Sequence, residues 1–347
     1  MNFLRKLLFP LAILYGWVTS IRNYLYDTGI LKSRSFDVPV IVVGNLSVGG
    51  TGKTPQIEYL IRLLSPHYKV ATLSRGYKRK SKGFVLADAT VNAEVLGDEP
   101  FQYFQKFPQI QVAVDVDRCH GIQQLLAQKE APEVILLDDA YQHRKVKAGF
   151  YILLTAYDDL FCDDWMLPAG NLRESRSGAQ RTNMIIVTKC PPNISEIAQQ
   201  EIAQKLQRFA APQNGADKVI FFSCIDYDEK VYSASDSLDV TAIQSQSKLL
   251  LAGIAKPSPF LEYLQSGHDA VMIFPDHHHF SESDILAIKN KAGGKIIVTT
   301  EKDFVRLQAA DFSTPLYYLP IKSKLLQHSD FFDKTILDYV GTCTGNR

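Results

Sequence analysis

A glycine-rich segment near the start of the chain is the part best suited to chemistry. It follows an apolar run at residues 38–43 and precedes an amphipathic stretch that predicts a helix. A strand, a glycine-rich turn and a helix N-terminus bring backbone N–H groups together around phosphate oxygens, as in a nucleotide-binding loop. In such a loop Lys53 reaches the β- and γ-phosphates, and the Thr54 hydroxyl is a ligand for Mg²⁺. The predicted nucleotide-binding residues are Ser47, Val48, Gly49, Gly50, Thr51, Gly52, Lys53 and Thr54.

One position departs from the usual pattern of this loop, because Ser47 stands where glycine is expected. A side chain fits there if the backbone φ is negative, and the Gly49-Gly50 pair supplies conformational freedom nearby. A glycine-rich turn without catalytic meaning is the alternative. Residues 188–191, Thr-Lys-Cys-Pro, lack the aspartate that a guanine-binding motif carries two places after the lysine. ATP is therefore the expected nucleotide.

Two adjacent carboxylates follow another apolar run. Residues 134–137 are Val-Ile-Leu-Leu, and Asp138 and Asp139 come directly after them. Ligands of open α/β sheets bind at the carboxyl ends of the strands. These carboxylates are therefore expected beside the nucleotide-binding loop of residues 47–54, the phosphate loop. Phosphoryl transfer needs such a group to hold Mg²⁺ or its water. The alternative is that the pair caps the next element of the chain.

The composition sets the class of protein. The chain has 347 residues, of which 46% are hydrophobic and 22% charged. These values are typical of about two globular domains and exclude disorder, collagen-like repeats and a polytopic membrane protein. The formal net charge of +1 provides no general attraction for nucleic acid. Five scattered cysteines without a C-x-x-C pair favour a reducing cytoplasm over a disulfide framework or a zinc module.

Short apolar runs alternate with helical stretches, which predicts an α/β fold of the P-loop NTPase type. We expect a mostly parallel sheet covered by helices, a second, smaller α/β domain and an N-terminal amphipathic helix. The predicted domains are an N-terminal helix at 1–30, for which association with a membrane is one alternative, a nucleotide-binding domain at 31–217, and a two-stranded linker with the smaller domain at 218–347. Residues 219–234 predict two strands around a turn at 226–230. The other predicted strands are Val38–Val43, Lys69–Leu73, Gly83–Leu86, Ile110–Val114, Val134–Leu137, Phe150–Leu154, Met184–Thr188, Lys248–Ala252, Val271–Phe274 and Lys295–Thr299. The predicted helices include Gln56–Leu64, His120–Gln128, Ile197–Phe209 and Ser281–Ala292.

Residues 3–26 are far more apolar than the rest of the chain and have helical periodicity. The uncharged run 7–21 is shorter than the ~20 residues of a membrane span, and Pro10 interrupts or restarts a helix there. All charges in this segment are basic, and aromatic rings accompany them, as in a helix that lies on an anionic membrane surface. A terminal helix packed on the body of the protein and a secretory signal are the alternatives. The second lacks an A-x-A-like cleavage site.

Several further motifs follow one another along the chain. They are Ser-Arg-Gly-Tyr (74–77), Gly-Asp-Glu-Pro (97–100), Asp-Arg (117–118), Asp-Asp-Ala-Tyr-Gln-His (138–143), Leu-Arg-Glu (172–174) and Thr-Glu-Lys-Asp (300–303). With the phosphate loop, they closely resemble the tetraacyldisaccharide 4′-kinase (lipid A 4′-kinase) family over nearly the whole chain. The resemblance implies phosphorylation of the 4′-hydroxyl of tetraacyldisaccharide 1-phosphate by Mg²⁺-ATP, which gives lipid IVA in lipid A biosynthesis. It also implies a peripheral position on the cytoplasmic face of the inner membrane. The implied partners are the lipid substrate and the membrane surface, without nucleic acid or an obligatory protein partner.

The resemblance also implies roles for individual residues. Asp98 resembles the family's catalytic base, and His277 resembles the histidine paired with it, with Lys53 beside the phosphates. The expected Mg²⁺ ligands are Thr54, Asp138 and Asp139. Further substrate or phosphate contacts are expected at Arg75, Arg118, His143, Arg173 and Glu174. If Asp98 and His277 belong to different domains, catalysis takes place in the cleft between them.

Two features of these motifs leave alternatives open. The family usually has Gly-Phe where this chain has Ala140 and Tyr141, so the loop geometry is expected to differ slightly. Three consecutive histidines at 277–279 could instead form a transition-metal site. For the whole chain, a P-loop NTPase that regulates a partner and a non-enzymatic membrane-binding module are the rival functions. The first predicts hydrolysis to free phosphate, and the second predicts no affinity for ATP.

Overall fold

The structure is a computed structural model that describes residue 5 and residues 7–211, 217–276, 278–308, 310–312 and 314–344. Its strands are β1 (Val40–Asn45), β2 (Val70–Ser74), β3 (Val85–Leu86), β4 (Gln111–Val114), β5 (Val134–Asp138), β6 (Phe150–Ala156), β7 (Met184–Thr188), β8 (Val219–Tyr227), β9 (Lys230–Tyr232), β10 (Ser237–Asp239), β11 (Lys248–Ala252), β12 (Ala270–Ile273), β13 (Ile296–Thr300), β14 (Leu316–Leu319) and β15 (Ile321–Leu325). Its α-helices are α1 (Phe9–Asp27), α2 (Lys53–Leu64), α3 (Ala93–Leu96), α4 (Asp98–Lys106), α5 (Arg118–Leu126), α6 (Glu196–Ala210), α7 (Val240–Gln244), α8 (Ser258–Leu264), α9 (Glu282–Ala292), α10 (Glu301–Leu307) and α11 (Ser329–Thr344).

The described residues form two sheets. The larger has nine strands in the order β15-β8-β7-β6-β1-β5-β2-β4-β3, and the smaller has six in the order β10-β9-β14-β13-β11-β12. From β4 to β8 the larger sheet is parallel, and β3 and β15 join its edges in the antiparallel direction. The predicted α/β class, with a mostly parallel sheet covered by helices and a smaller second unit, is confirmed.

Apolar side chains cover both faces of the larger sheet, as continuous apolar strands require. One face packs against α2, α4 and α11, and the other against α5 and α6. The central strands β1 and β5 are buried along their whole length. Because both strands are fixed on two sides, their carboxyl ends are rigid supports for the residues that follow them.

The two sheets are connected by two chain crossings. Strand β8 belongs to the larger sheet and leads into β9 of the smaller one, and β14 leads back through Pro320 into β15. Strands β8 and β15 pair antiparallel next to these crossings. The two strands predicted around residues 226–230 therefore form, but they do not pair as a hairpin, because each enters a different sheet.

The C-terminal helix differs from the predicted domain organisation. Residues 218–347 are predicted to form a two-stranded linker and the smaller domain, yet α11 packs on the larger sheet through Phe332, Ile336 and Val340. The apolar side chains of α2 form the other side of this contact. Burial of this apolar face draws the end of the chain back to the first sheet. The predicted boundary between residues 217 and 218 lies directly before β8, which belongs to the larger sheet.

Helix α1 lies along the body of the protein and begins next to Pro10, which fits the first turn of a helix. Its inner side is tied down by polar contacts, since the Tyr15 hydroxyl donates to the carbonyl of Arg173 at 3.0 Å. The Arg144 guanidinium pairs with Asp27 at 2.7 Å. No described helix has the length and apolarity needed to cross a membrane. Residues 1–4 and 6 of the predicted N-terminal segment lie outside the described residues.

Candidate active site

The phosphate loop leaves the carboxyl end of β1 and enters α2, as predicted from the sequence. Gly52 has φ +82° and precedes the first residue of α2, and Gly49 has φ +118°, so these two positions need glycine. Among described residues other than glycine, positive φ occurs at Lys78, Asp139, Lys189 and His328. Ser47 thus has an ordinary backbone conformation and is compatible with the loop. Its neighbour Val48 donates its N–H to the carbonyl of Asn171 at 2.8 Å, which fixes the loop against the segment before Arg173.

Lys53 lies in a cluster of polar side chains at the end of β1. Its Nζ is 3.4 Å from the Asn45 Oδ1 and 3.8 Å from the Asp139 Oδ1. Arg173 forms a two-pronged pair with Asp139, with distances of 2.8 and 3.2 Å, and also hydrogen-bonds to Asn45. The structure therefore brings together Lys53, Asp139 and Arg173 at one edge of the sheet. Two cations converging on one carboxylate suit a site that receives phosphate.

The two adjacent aspartates have opposite electrostatic environments. Burial and the neighbouring Asp139 raise the pKa of Asp138 to about 7. Burial also acts on Asp139, but the charges of Lys53 and Arg173 outweigh it and lower the pKa of Asp139 to about 2. Asp139 has φ +48°, so the left-handed turn falls there and not at Ala140. The alanine that replaces the family's glycine is therefore accommodated without strain.

The two carboxylate oxygens of Asp138 differ in their hydrogen bonding. Its Oδ2 accepts a hydrogen bond from the fully buried Tyr103 hydroxyl at 3.2 Å, whereas its Oδ1 is buried and has no hydrogen-bond partner among the described residues. The Thr54 side chain interacts with the same phenol, and the charge of Glu99 acts on both Asp138 and Tyr103. An unsatisfied buried carboxylate oxygen beside a hydroxyl and further carboxylates is an oxygen-rich donor set of the kind that Mg²⁺ takes.

Arginine side chains flank the aspartates on the β2 and β4 side. Arg118, the first residue of α5, is buried, and this burial lowers its pKa to about 10 although Asp138 and Asp139 act in the opposite direction. Its Nη1 donates to the carbonyl of Asp115 at 3.1 Å. Arg75 follows β2, is exposed, and lies close enough to Arg118 for their charges to repel. These guanidinium groups make this edge of the sheet attractive to anions.

Two other predicted contacts, His143 and Glu174, interact with side chains outside the phosphate loop. His143 lies beside Asp117 and Cys119, and burial together with Arg118 lowers its pKa to about 4, so the ring is neutral at pH 7. Glu174 is buried, and its carboxylate accepts hydrogen bonds from Arg181 at 2.8 Å and from Asn23 of α1 at 2.8 Å. These contacts give Glu174 a role in holding α1 against the segment that carries Arg173.

Asp98 is brought to the same edge by a helix that was not predicted. The sequence Gly-Asp-Glu-Pro reads as a turn, yet Asp98 and Glu99 begin α4, where the helix dipole favours carboxylates. Gly97 has φ +94° and a Cβ there would lie 3.1 Å from the carbonyl of Tyr77, just beyond the carboxyl end of β2. The Asp98 carboxylate pairs with Arg306 of α10 at 2.7 Å. The site thus extends to the smaller unit.

His277 lies outside the described residues, so its predicted pairing with Asp98 is not placed. Two of its neighbours, Asp276 and His278, are described. Asp276 acts electrostatically on Lys189, whose Nζ hydrogen-bonds to the carbonyl of Gly50 in the phosphate loop. His278 is paired with Asp284 at 3.1 Å, and so takes part in the N-terminal cap of α9. Asp276 therefore lies near Lys189, a residue that contacts the phosphate loop.

Sequence reasoning did not identify three residues that complete this site. Glu99 and Tyr103 lie on the first turns of α4 and act on Asp138, and Arg306 lies on α10 and binds Asp98. An apolar face at Phe101, Tyr103 and Phe104 was the available signal for a helix at α4. No local signal links Arg306 to Asp98, because 208 positions separate them in the chain.

Comparisons with known proteins agree on one family. The profile of the LpxK family, described as tetraacyldisaccharide-1-P 4'-kinase, matches residues 4–340. A tetraacyldisaccharide 4'-kinase of Flavobacterium johnsoniae is 65% identical over 98% of both chains. The protein of the same name from Bacteroides thetaiotaomicron is 46% identical over 99% of this chain and 95% of its own. A crystal structure of the "apo" form of LpxK from Aquifex aeolicus in complex with ATP is 32% identical, with a TM-score of 0.76 over 97% of this chain and 99% of that one.

Proposed function

The chain belongs to the tetraacyldisaccharide-1-P 4'-kinase family, and we propose that it transfers the γ-phosphoryl group of ATP to the 4′-hydroxyl of tetraacyldisaccharide 1-phosphate. The product is lipid IVA, an intermediate of lipid A biosynthesis. The observation that carries the proposal is the convergence at one sheet edge of Lys53, the carboxylates Asp138 and Asp139, and Asp98 at the first turn of α4.

The phosphate loop holds the nucleotide in this proposal. The backbone N–H groups of residues 49–54 and the Lys53 ammonium surround the β- and γ-phosphates. Lys53 is held near the phosphates by Asn45 and Asp139, and Arg173 fixes Asp139 in turn. As negative charge moves onto the leaving oxygen, these prepositioned cations stabilise it without reorganisation.

Mg²⁺ fits the residues present. Thr54, Asp138 and Asp139 would hold it, and Glu99 adds a further negative charge beside Asp138. When bound there, the ion would supply positive charge that offsets the negative charge of the phosphates. Without the ion, burial of the carboxylate raises the pKa of Asp138 to about 7.

Asp98 accepts the proton of the attacking hydroxyl. The 4′-oxygen forms a bond to the γ-phosphorus while the bond from that phosphorus to the β–γ bridging oxygen breaks, and ADP departs. The hydroxyl proton passes to the Asp98 carboxylate. His277 is expected to assist this carboxylate, and its neighbour Asp276, whose charge acts on Lys189 beside the phosphate loop, supports that expectation.

The outward face of α1 supports docking on a membrane surface, which the proposed reaction places at the cytoplasmic face of the inner membrane. Its large apolar side chains are exposed, with Trp17 at 68%. The exposed set on or next to this helix is Leu7, Leu8, Phe9, Leu11, Ile13, Leu14, Trp17, Val18, Ile21 and Tyr24. A water-soluble protein rarely leaves such a contiguous patch uncovered, and an acceptor with four acyl chains stays in the bilayer. Docking of α1 brings the bound nucleotide to the lipid.

The test is transfer of γ-labelled phosphate from Mg²⁺-ATP to detergent-dispersed tetraacyldisaccharide 1-phosphate. We expect label on the lipid with the wild-type protein and none with Lys53→Ala, which removes the charge at the phosphates. Label found only in inorganic phosphate would instead support a regulatory NTPase. Absence of ATP binding would support a membrane module without enzymatic activity.

A further inference from the structure

Helices α4 and α10 face each other between the two units through oppositely charged side chains. Lys106, at the end of α4, pairs with Glu301 at 2.8 Å. At the beginning of α4, Glu99 and Asp98 pair with Lys302 at 3.8 Å and with Arg306 at 2.7 Å. The two acidic residues at the start of α4 therefore both face cations of α10.

The contact between Arg306 and Asp98 has a defined geometry. The guanidinium Nε and Nη2 both donate to one oxygen, the Asp98 Oδ2, at 3.0 and 2.7 Å. The structure gives the Asp98 Oδ1 no hydrogen bond to another described residue. Only 12% of the Arg306 side chain and 28% of the Asp98 side chain are exposed, so water competes weakly for this pair. One carboxylate oxygen is thus anchored and the other remains available to accept a proton.

The buried carboxylate of Asp303 orients the Arg306 guanidinium through its remaining nitrogen, Nη1. Its Nη1 is 3.4 Å from the Oδ1 of Asp303, which is fully buried. The Oδ2 of Asp303 accepts hydrogen bonds from the Gly253 N–H at 2.7 Å and from the Thr300 hydroxyl at 2.7 Å. Asp303 is therefore fixed to the carboxyl ends of β11 and β13, and Arg306 transmits the position of the smaller sheet to Asp98.

We infer that Arg306 is a positioning residue for phosphoryl transfer: it holds the Asp98 carboxylate by one oxygen and aligns the other with the acceptor hydroxyl. The inference rests on the proposed role of Asp98 as the base. It also explains the Thr-Glu-Lys-Asp motif at 300–303 physically. Thr300 caps α10, Glu301 and Lys302 pair with α4, and Asp303 orients Arg306.

The consequence is that Asp98 is correctly placed only when the smaller unit is seated on α4. A misplacement of about 1 Å in a reacting group can cost about 100-fold in rate. Replacement of Arg306 by glutamine removes both N–H groups of the fork and is expected to lower kcat by about that factor. The KM values for ATP and lipid are expected to change by about twofold or less, since Arg306 is assigned a contact with Asp98 and none with either substrate.

The experiment is a double-mutant cycle on phosphate transfer with wild type, Arg306→Gln, Asp98→Asn and the double variant, in the full-length protein. A positioning role predicts that Arg306→Gln has almost no further effect once Asp98 is asparagine. Arg306→Lys keeps a cation that can donate to Asp98 and is expected to recover activity to within about tenfold of wild type. Gln308→Ala is the matched control, because Gln308 bonds across the same interface to Gln105 at 3.1 Å without touching Asp98.

The outcomes separate this inference from the proposed function. An equal loss from Arg306→Gln in both backgrounds, or a similar loss in Gln308→Ala, would mean that Arg306 only holds the interface together and would overturn the inference. Wild-type kcat in Arg306→Gln with an inactive Asp98→Asn would also overturn it, while the base remained. Wild-type activity in Asp98→Asn would overturn the assignment of the base itself. Thermal unfolding of each variant establishes that the loss occurs in folded protein.

Discussion

Membrane binding through the outward face of α1 can be tested without changing the fold. Leu14 and Ile21 are two helical turns apart on the same face and are 58% and 59% exposed. Full burial of such a side chain is worth about 1.5–3 kcal/mol, so transfer of the exposed part into the interface contributes about 1–2 kcal/mol each. Leu14→Ser with Ile21→Ser therefore costs about 2–4 kcal/mol, which weakens vesicle binding about 30-fold to several hundredfold.

The assay is flotation with vesicles that contain anionic phospholipid. A matched control is the pair Ile197→Ser and Leu286→Ser, whose side chains are 70% and 60% exposed and belong to α6 and α9. Thermal unfolding should be nearly unchanged in both double variants, because none of the four side chains is in a core. Equal vesicle binding by the α1 variant, the control and wild type would refute the reasoning.

Two further predictions concern the carboxylates of the site. Glu174→Gln leaves Arg181 without its buried partner and weakens the contact with Asn23 of α1. The variant is expected to lower the free energy of unfolding by about 3 kcal/mol and to expose α1 to protease. Unfolding in urea and limited proteolysis measure the two effects, and unchanged stability would contradict the prediction. Asp138 has a pKa of about 7 in the folded protein against about 4 in the unfolded chain. In the nucleotide-free and metal-free protein, the contribution of Asp138 to the free energy of unfolding is therefore greatest below pH 4, where the carboxyl is neutral in both states, and falls as the pH rises to 7. Relative to Asp138→Asn, wild type should lose up to about 1.4 kcal/mol of stability per pH unit in that window, and parallel stability curves would show that Asp138 is ionised throughout.

The parallel strands and the phosphate loop could be predicted from the sequence because their signals are local. A strand buried on both faces must be apolar at every position, and the short apolar runs at 134–137 and 184–187 are typical of such strands. Glycines needed at positive φ mark the turn between β1 and α2. The predicted strand ends differ from the observed ones by at most two residues, in part because hydrogen bonding continues into polar residues such as Asn45.

Features that depend on distant parts of the chain were not predictable in this way. The sequence of residues 219–234 fits a hairpin as well as it fits two strands in different sheets. Strands β8 and β9 separate because each pairs with a different sheet. Adjacent residues Arg173 and Glu174 point to different neighbours, one to Asp139 and the other to Arg181, and their types alone do not reveal which faces the phosphate loop.

The most direct test of the account measures two steps in Asp98→Asn and Lys53→Ala, namely ATP binding and transfer of γ-labelled phosphate to tetraacyldisaccharide 1-phosphate. Asp98→Asn keeps the phosphate loop and is expected to bind ATP as wild type does, but to transfer phosphate at least about 100-fold more slowly. Lys53→Ala is expected to lose transfer through weakened stabilisation of the phosphates. Transfer to the lipid at the wild-type rate by Asp98→Asn would contradict the assignment of this carboxylate as the base at the edge of the sheet.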